Sequence, residues 1–194
     1  MGNFTTQVHV TGSARQFSED EPYLRAIMQA VYDSHAIVFR NWLDAATSRS
    51  KNNARDQDTD WEAILNDNIE AIKKSDLVIV EATQARFSQG LQAYTAARYK
   101  KPTLIITRNP VKGHFISGVA GKLITIKEYS TEDELRATVA KFIKQNTIPE
   151  KDLRFNMILD RRIYKYLRDT SYETGKNKSQ IVRELLEKDI ERRK

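Results

Sequence analysis

The sequence predicts an α/β protein: a Rossmann-like parallel sheet of five strands with flanking helices, followed by a small strand–helix–helix unit. Three observations carry this. Short apolar runs alternate with segments of helical periodicity over residues 7–145. Beyond residue 152 the period changes to two, and then to two amphipathic helices. Between them, residues 146–152 (Asn-Thr-Ile-Pro-Glu-Lys-Asp) have the composition of a linker. The predicted organisation is a first domain over 1–145, a linker over 146–152 and a second unit over 153–194.

The elements follow in chain order. Gln7-Val8-His9-Val10 is a short strand ending at Thr11-Gly12-Ser13, and Leu24, Ile27, Met28 and Val31 then recur at helical spacing. Ala36–Phe39 is a second strand. Residues 44–58 are polar and predict a long loop that could close over a ligand or stay unstructured. Thr59 with Glu62 reads as a capping box opening a helix to about Lys74. Leu77-Val78-Ile79-Val80 centres a buried strand from Asp76. A helix over about 88–99 follows, then a strand after Pro102 (Thr103–Ile106) and a fifth strand over 122–126. Ser130 or Thr131 caps a helix with Leu135, Val139, Phe142 and Ile143 on one face. In parallel sheets of this kind ligands sit beyond the carboxyl ends of the strands. The positions after residues 11, 39, 81 and 107 are therefore where a site is expected.

Composition narrows the chemistry. The 194 residues contain no Cys, so disulfides, thiolate metal sites and a cysteine nucleophile are excluded. Three His leave little for a metal centre, and neither metal nor cofactor is expected. No apolar run is long enough to span a bilayer and no signal-peptide pattern opens the chain, so a cytoplasmic protein is expected. The net charge is +6, unevenly spread: residues 146–194 hold 13 basic and 9 acidic residues. Such a surplus in the second unit suggests a polyanion as its partner.

In the second unit Leu153, Phe155, Met157 and Leu159 alternate with Arg154, Asn156 and Ile158. Asp160 can cap a helix carrying Ile163 and Leu167, and Gly175 can stop it. Asn177 opens a second helix with Ile181, Val182, Leu185, Leu186 and Ile190 on one face. A lone strand cannot satisfy its backbone and so short a unit makes a poor core, so pairing of two copies is expected. Residues 152–191 resemble the ribbon-helix-helix family, on the strength of Arg154–Asp160 and Gly175–Leu186. The resemblance implies a homodimer or higher oligomer whose paired strands enter the major groove of DNA. Arg154, Asn156 and Ile158 would face the bases, while Asn177, Lys178 and Ser179 would hold a phosphate at a helix N-terminus. The other reading of Arg154 and Asn156 is as solvated residues on a strand that only dimerises.

Residues 7–145 resemble the nucleoside 2-deoxyribosyltransferase superfamily, which includes the deoxynucleoside-monophosphate N-glycosidases. The carriers are Val10-Thr11-Gly12-Ser13-Ala14-Arg15, the run from Ser75 to Gln84, and Lys101–Ile106. The resemblance implies cleavage of the bond between base and sugar by a carboxylate nucleophile. The nucleophile's position falls on Gln92, the assisting helix Asp on Asp67, and the aromatic of the first strand near His9. An amide cannot act as that nucleophile. The residues left to bind a nucleoside or nucleotide are Gly12, Ser13, Arg15, Asp67, Arg86, Ser88 and Gln92. Ser88 also reads as a plain helix cap, and Asp67 as a surface carboxylate. Glu81, at the end of the third strand, is the candidate to replace the missing carboxylate.

Two functions follow as expectations. One is a catalytically silent nucleoside- or nucleotide-binding domain coupled to a dimeric DNA-binding unit, a ligand-responsive regulator. The other is an active N-glycosidase or deoxyribosyltransferase whose second unit serves assembly or targeting.

Overall fold

The computed structural model describes residues 5–13, 17–51, 60–84, 86–109, 123–147 and 156–193. The chain divides into two compact units, residues 1–150 and 151–194.

The first unit contains the predicted five-stranded parallel sheet. Its strands are β1 (Gln7–Thr11), β2 (Ile37–Val38), β3 (Leu77–Glu81), β4 (Thr103–Thr107) and β5 (Ile124–Glu128). They run in the order β2-β1-β3-β4-β5, all neighbours parallel. The helices of this unit are α1 (Phe17–Asp33), α2 (Leu43–Lys51), α3 (Trp61–Lys74), α4 (Phe87–Arg98) and α5 (Glu132–Asn146). Strand order reverses between β1 and β3, and their carboxyl ends flank the crevice where such sheets take ligands.

Side-chain alternation assigns each strand residue to a face. Val8, Val10, Leu77, Ile79, Leu104 and Ile106 pack with residues of α1, α2 and α5. Val78, Val80 and Ile105 pack with Ile72 of α3 and Ala93 and Ala96 of α4. Parity thus sends His9 toward α3 and α4, and Glu81 toward α1 and α5. β3 and β4 are buried along their whole length, which is why they read as unbroken apolar runs.

Five boundaries differ from the sequence prediction, β5 among them, which is Ile124–Glu128 rather than 122–126. Residues 43–51, most of which read as a polar loop, are the helix α2. Leu43 and Ala46 bury one side of it in the α1 core, and Asn41 Oδ1 accepts from Leu43 N at 3.2 Å; residues 52–58 lie outside the described residues. β2 is two residues long, not four. Beyond it the indole of Trp42 donates to Val10 O at 2.7 Å, taking the place of a longer strand. α3 is capped by Asp60, whose carboxylate accepts from Ala63 N at 2.9 Å, rather than by Thr59, which lies outside the described residues. α5 runs to Asn146 with Thr147 as its C-cap, so the predicted linker begins inside a helix. Thr131 is the N-cap of α5.

The second unit contains α6 (Arg161–Thr174) and α7 (Lys178–Arg192). Asp160 caps α6, accepting from Ile163 N at 2.8 Å. Gly175 ends it at φ +70°, a left-handed conformation that favours glycine. Asn177 and Gln180 form a reciprocal capping box on α7, at 2.9 and 3.0 Å. Leu167 and Ile181 are the buried apolar residues between the helices. Residues 156–160 form no strand, contrary to the predicted ribbon, and 153–155 lie outside the described residues. The physical reason is the one that predicts pairing: a single strand without a neighbour has no ladder to join. Met157, Ile158, Leu185, Leu186 and Ile190 are exposed.

Candidate functional site: the crevice between β1 and β3

β1 carries His9 into the interior, where it is fully buried. Its Nε2 faces Gln92 Oε1 on α4 at 3.3 Å. An amide oxygen only accepts, so Nε2 carries the proton and Nδ1 presents a lone pair. That Nδ1 has no partner among the described residues. Burial lowers the pKa of His9 to about 4; the Gln92 hydrogen bond opposes this and the charge of Arg40 adds to it. His9 is therefore a neutral acceptor at physiological pH.

Gln92 is nearly buried, one turn into α4. Gln89, also buried, spends its Oε1 on the helix start, accepting from Arg86 N at 3.0 Å and from Ser88 Oγ at 3.3 Å. Its Nε2 has no partner among the described residues. The N-cap of α4 is Arg86, and Ser88 lies inside the first turn, so Ser88 is not the cap. Both side chains are exposed, as an anion-binding position requires.

Opposite α4, Arg40 leaves the end of β2. Its guanidinium donates to Asp67 Oδ2 at 2.8 Å and to Asn68 Oδ1 at 3.4 Å on α3. Asp67 is exposed and held at the rim, while His9 and Gln92 lie below. Gly12 and Ser13 form the turn above Thr11. A Cβ on Gly12 would lie 2.7 Å from a Leu24 methyl, so glycine lets α1 approach this turn closely. Ser13 is buried; Arg15 is outside the described residues.

Glu81 belongs to a different cluster. It is fully buried on the α1/α5 face and accepts from the Tyr129 hydroxyl at 3.1 Å, the Thr83 hydroxyl and Thr83 N. Thr83 Oγ1 in turn accepts from Arg108 N at 2.9 Å. Arg108 is paired with the buried Asp20 and stacks on the Tyr23 ring, 4.1 Å from its centroid. Burial raises the pKa of Glu81, with Asp20 adding to the rise, while its hydrogen bonds from Thr83 and Tyr129 work the other way. Parity places Glu81 on the face away from His9 and Gln92. Glu81 and the pair of His9 and Gln92 thus lie on opposite faces of the sheet.

The structure therefore brings His9 and Gln92 together, with Asp67 and the Gly12–Ser13 turn at the same sheet edge. Arg40, Gln89 and the cluster of Asp20, Thr83, Arg108 and Tyr129 escaped the sequence reading. Arg40 and Arg108 directly follow residues 39 and 107, two of the four strand exits where a site was expected. Of the second unit's expected DNA contacts, Asn156 and Ile158 are exposed, Asn177, Lys178 and Ser179 open α7, and Arg154 lies outside the described residues.

The fold has a counterpart among solved structures. The CMP N-glycosidase of Clostridium botulinum superposes with a TM-score of 0.50 at 12% identity, covering 69% of this chain and 98% of that one. This likeness shows the fold: a five-stranded parallel sheet with flanking helices. No family model and no curated protein matches the sequence. No helix among the described residues is long and apolar enough to cross a membrane.

Proposed function

We propose that the first unit binds a nucleoside or nucleotide without turning it over, and that the second unit pairs with a second copy to bind DNA. The observation that carries the first half is the His9–Gln92 contact. An amide stands where the resembling family places its carboxylate, buried and already hydrogen-bonded to a neutral imidazole. Such a pair can orient a ligand through hydrogen bonds but supplies no nucleophile. Arg86 and Ser88 at the start of α4, with Gly12, Ser13 and Arg15, are the groups for an anionic ligand. The fold's counterpart acts on CMP, which supports a nucleotide as the ligand class.

Support for the second half comes from exposed apolar side chains on a unit too small to bury them, and from its surplus of positive charge. Pairing would give residues 153–159 a strand partner and cover Leu185, Leu186 and Ile190. Ligand binding would regulate DNA binding only through different affinities for two arrangements of the dimer.

The test is base release by the native chain and by Gln92→Glu, against nucleosides, deoxynucleoside monophosphates and CMP. The reading expects binding of one of them without free base from the native chain, and free base from the variant. Free base from the native chain would make it an enzyme and overturn the silent reading. Binding of none would overturn the ligand assignment.

A further inference from the structure

The positive charge of the second unit is not spread evenly over its two helices. Over α7 the charge is balanced: Lys178, Arg183, Lys188 and Arg192 stand against Glu184, Glu187, Asp189 and Glu191, and on its flanks Lys176 pairs with Glu184 and Arg193 with Asp189, each at 2.7 Å. On α6 it is not. Arg161 and Lys165 are exposed and make no ion pair among the described residues; Arg168 meets only its neighbour Asp169, at 2.9 Å.

Their spacing puts them on one line. Residues 161, 165 and 168 fall at i, i+4 and i+7, and Tyr172, 83% exposed, extends the row by one more turn. At about 100° per residue this row lies opposite Ile163 and Leu167, the side that packs toward α7. A dimer that covers the apolar side therefore leaves the row open. The row is about 16 Å long at 1.5 Å per residue. Asp169 and Glu173 lie off to one side of it.

The first turn of α6 sharpens the point. It holds Arg161 and Arg162 and no acidic residue, with Asp160 as the cap. Cations there oppose the helix dipole and destabilise the first turn. An anion laid along the row would reverse that penalty. An exposed cationic row ending in an aromatic ring, with Asp169 beside Arg168 as its one counter-ion among the described residues, complements a phosphodiester backbone.

We infer that Arg161, Lys165 and Arg168 form a sequence-independent phosphate-contacting surface for duplex DNA, separate from the expected base-reading residues Arg154, Asn156 and Ile158. This rests on the DNA-binding reading of the second unit. It adds a second contact, made by the outer face of α6, that carries affinity rather than specificity.

The experiment is a salt titration of duplex DNA binding by the full chain, from 50 to 200 mM, read by anisotropy on two unrelated duplexes. Native chain is compared with the triple variant Arg161→Gln, Lys165→Gln, Arg168→Gln. Each phosphate contact contributes about 0.9 to the slope of log affinity against log salt, so losing three lowers it by about 2.7 per engaged protomer. The expected result is that drop, equal on both duplexes, with helix content unchanged by circular dichroism. An unchanged slope overturns the surface while leaving DNA binding in place. A drop on one duplex only would make these residues base readers and overturns the sequence-independent assignment. Absence of salt-dependent binding by the native chain overturns the DNA reading and this surface together.

Discussion

On one face of the sheet's carboxyl edge Glu81 meets Thr83, Tyr129 and, through Thr83, Arg108. On the other face His9 meets Gln92. Both clusters are buried and polar, and they begin on adjacent strands. The difference lies in what remains unmet. Both oxygens of Glu81 are engaged, and Arg108 is sandwiched between Asp20 and the Tyr23 ring. His9 keeps a lone pair, and Gln89 keeps an amide, without partners among the described residues. Asp20 Oδ2 is the one unmet atom of the first cluster. A network with its donors all engaged ties elements together; one with a donor and a lone pair open, at the crevice of a parallel sheet, awaits a ligand's hydrogen bonds. The comparison teaches that the most charged cluster near a predicted site is here structural, while the nearly neutral one is the candidate for recognition.

The largest expected effect tests the structural half. Arg108→Ala leaves Asp20 buried without its counter-charge and removes the Nε donor to Thr83 Oγ1, while the backbone N of residue 108 still donates to it. Removing one member of a buried pair costs about 3–5 kcal/mol. The lower end applies because the Arg108 side chain is a quarter exposed. Urea unfolding should show about 3 kcal/mol lost. Gln92→Ala, which leaves only His9 Nε2 unmatched, should lose about 1–2 kcal/mol. If Gln92→Ala proves the more destabilising, the roles of the two clusters are reversed.

His9 separates the two faces by pH. Its folded pKa is about 4 against 6.5 for the ordinary side chain. Between those values the unfolded chain holds a proton that the folded chain does not, so stability falls as pH drops from 6.5 to 4. Each unit is worth about 1.4 kcal/mol, giving about 3 kcal/mol across the window. Glu81 and Asp20 have raised values and act with the opposite sign: the folded state takes up their protons first, which favours the fold as pH falls. The native chain sums both trends. His9→Gln should remove the first alone, leaving a variant that gains stability from pH 6.5 to 4 relative to the native chain. Parallel profiles for the two would mean that His9 is protonated inside the fold, and the neutral-acceptor assignment would go.

How much of this was legible in the sequence depends on which physics wrote it. The sheet was readable because β3 and β4 are buried on both faces and carry unbroken apolar runs, and the caps at Asp160 and Asn177 were readable because capping is local. α2 was missed because its helical signal is weak: among its described side chains Leu43 and Ala46 alone are buried, and tertiary packing against α1 decides the outcome. The ribbon was read from a period of two, yet a single chain gives it no partner. The face that Glu81 serves was not legible, because position along a strand says how near a residue is to the crevice, whereas parity says which face it serves. Parity needs the register of the whole sheet. Arg40 lay at a strand exit already marked for attention, but its hold on Asp67 spans 27 residues and no spacing rule reaches that far.

The smallest expected effect on stability belongs to that Arg40–Asp67 contact. It is a good ion pair by distance, 2.8 Å, but Asp67 is 59% exposed and Arg40 34%. Exposed pairs contribute about 0–1 kcal/mol and weaken with salt. Asp67→Asn keeps the shape and one acceptor oxygen, so unfolding should shift by less than about 1 kcal/mol at 0.15 M salt. If Asp67 serves a ligand at the crevice rim, the same change should weaken nucleoside or nucleotide binding by about tenfold, the loss of one charge-assisted hydrogen bond. Calorimetric titration beside urea unfolding reads both quantities on one variant. A stability loss without a binding loss would make Asp67 a partner of Arg40 alone and confine recognition to the buried pair of His9 and Gln92.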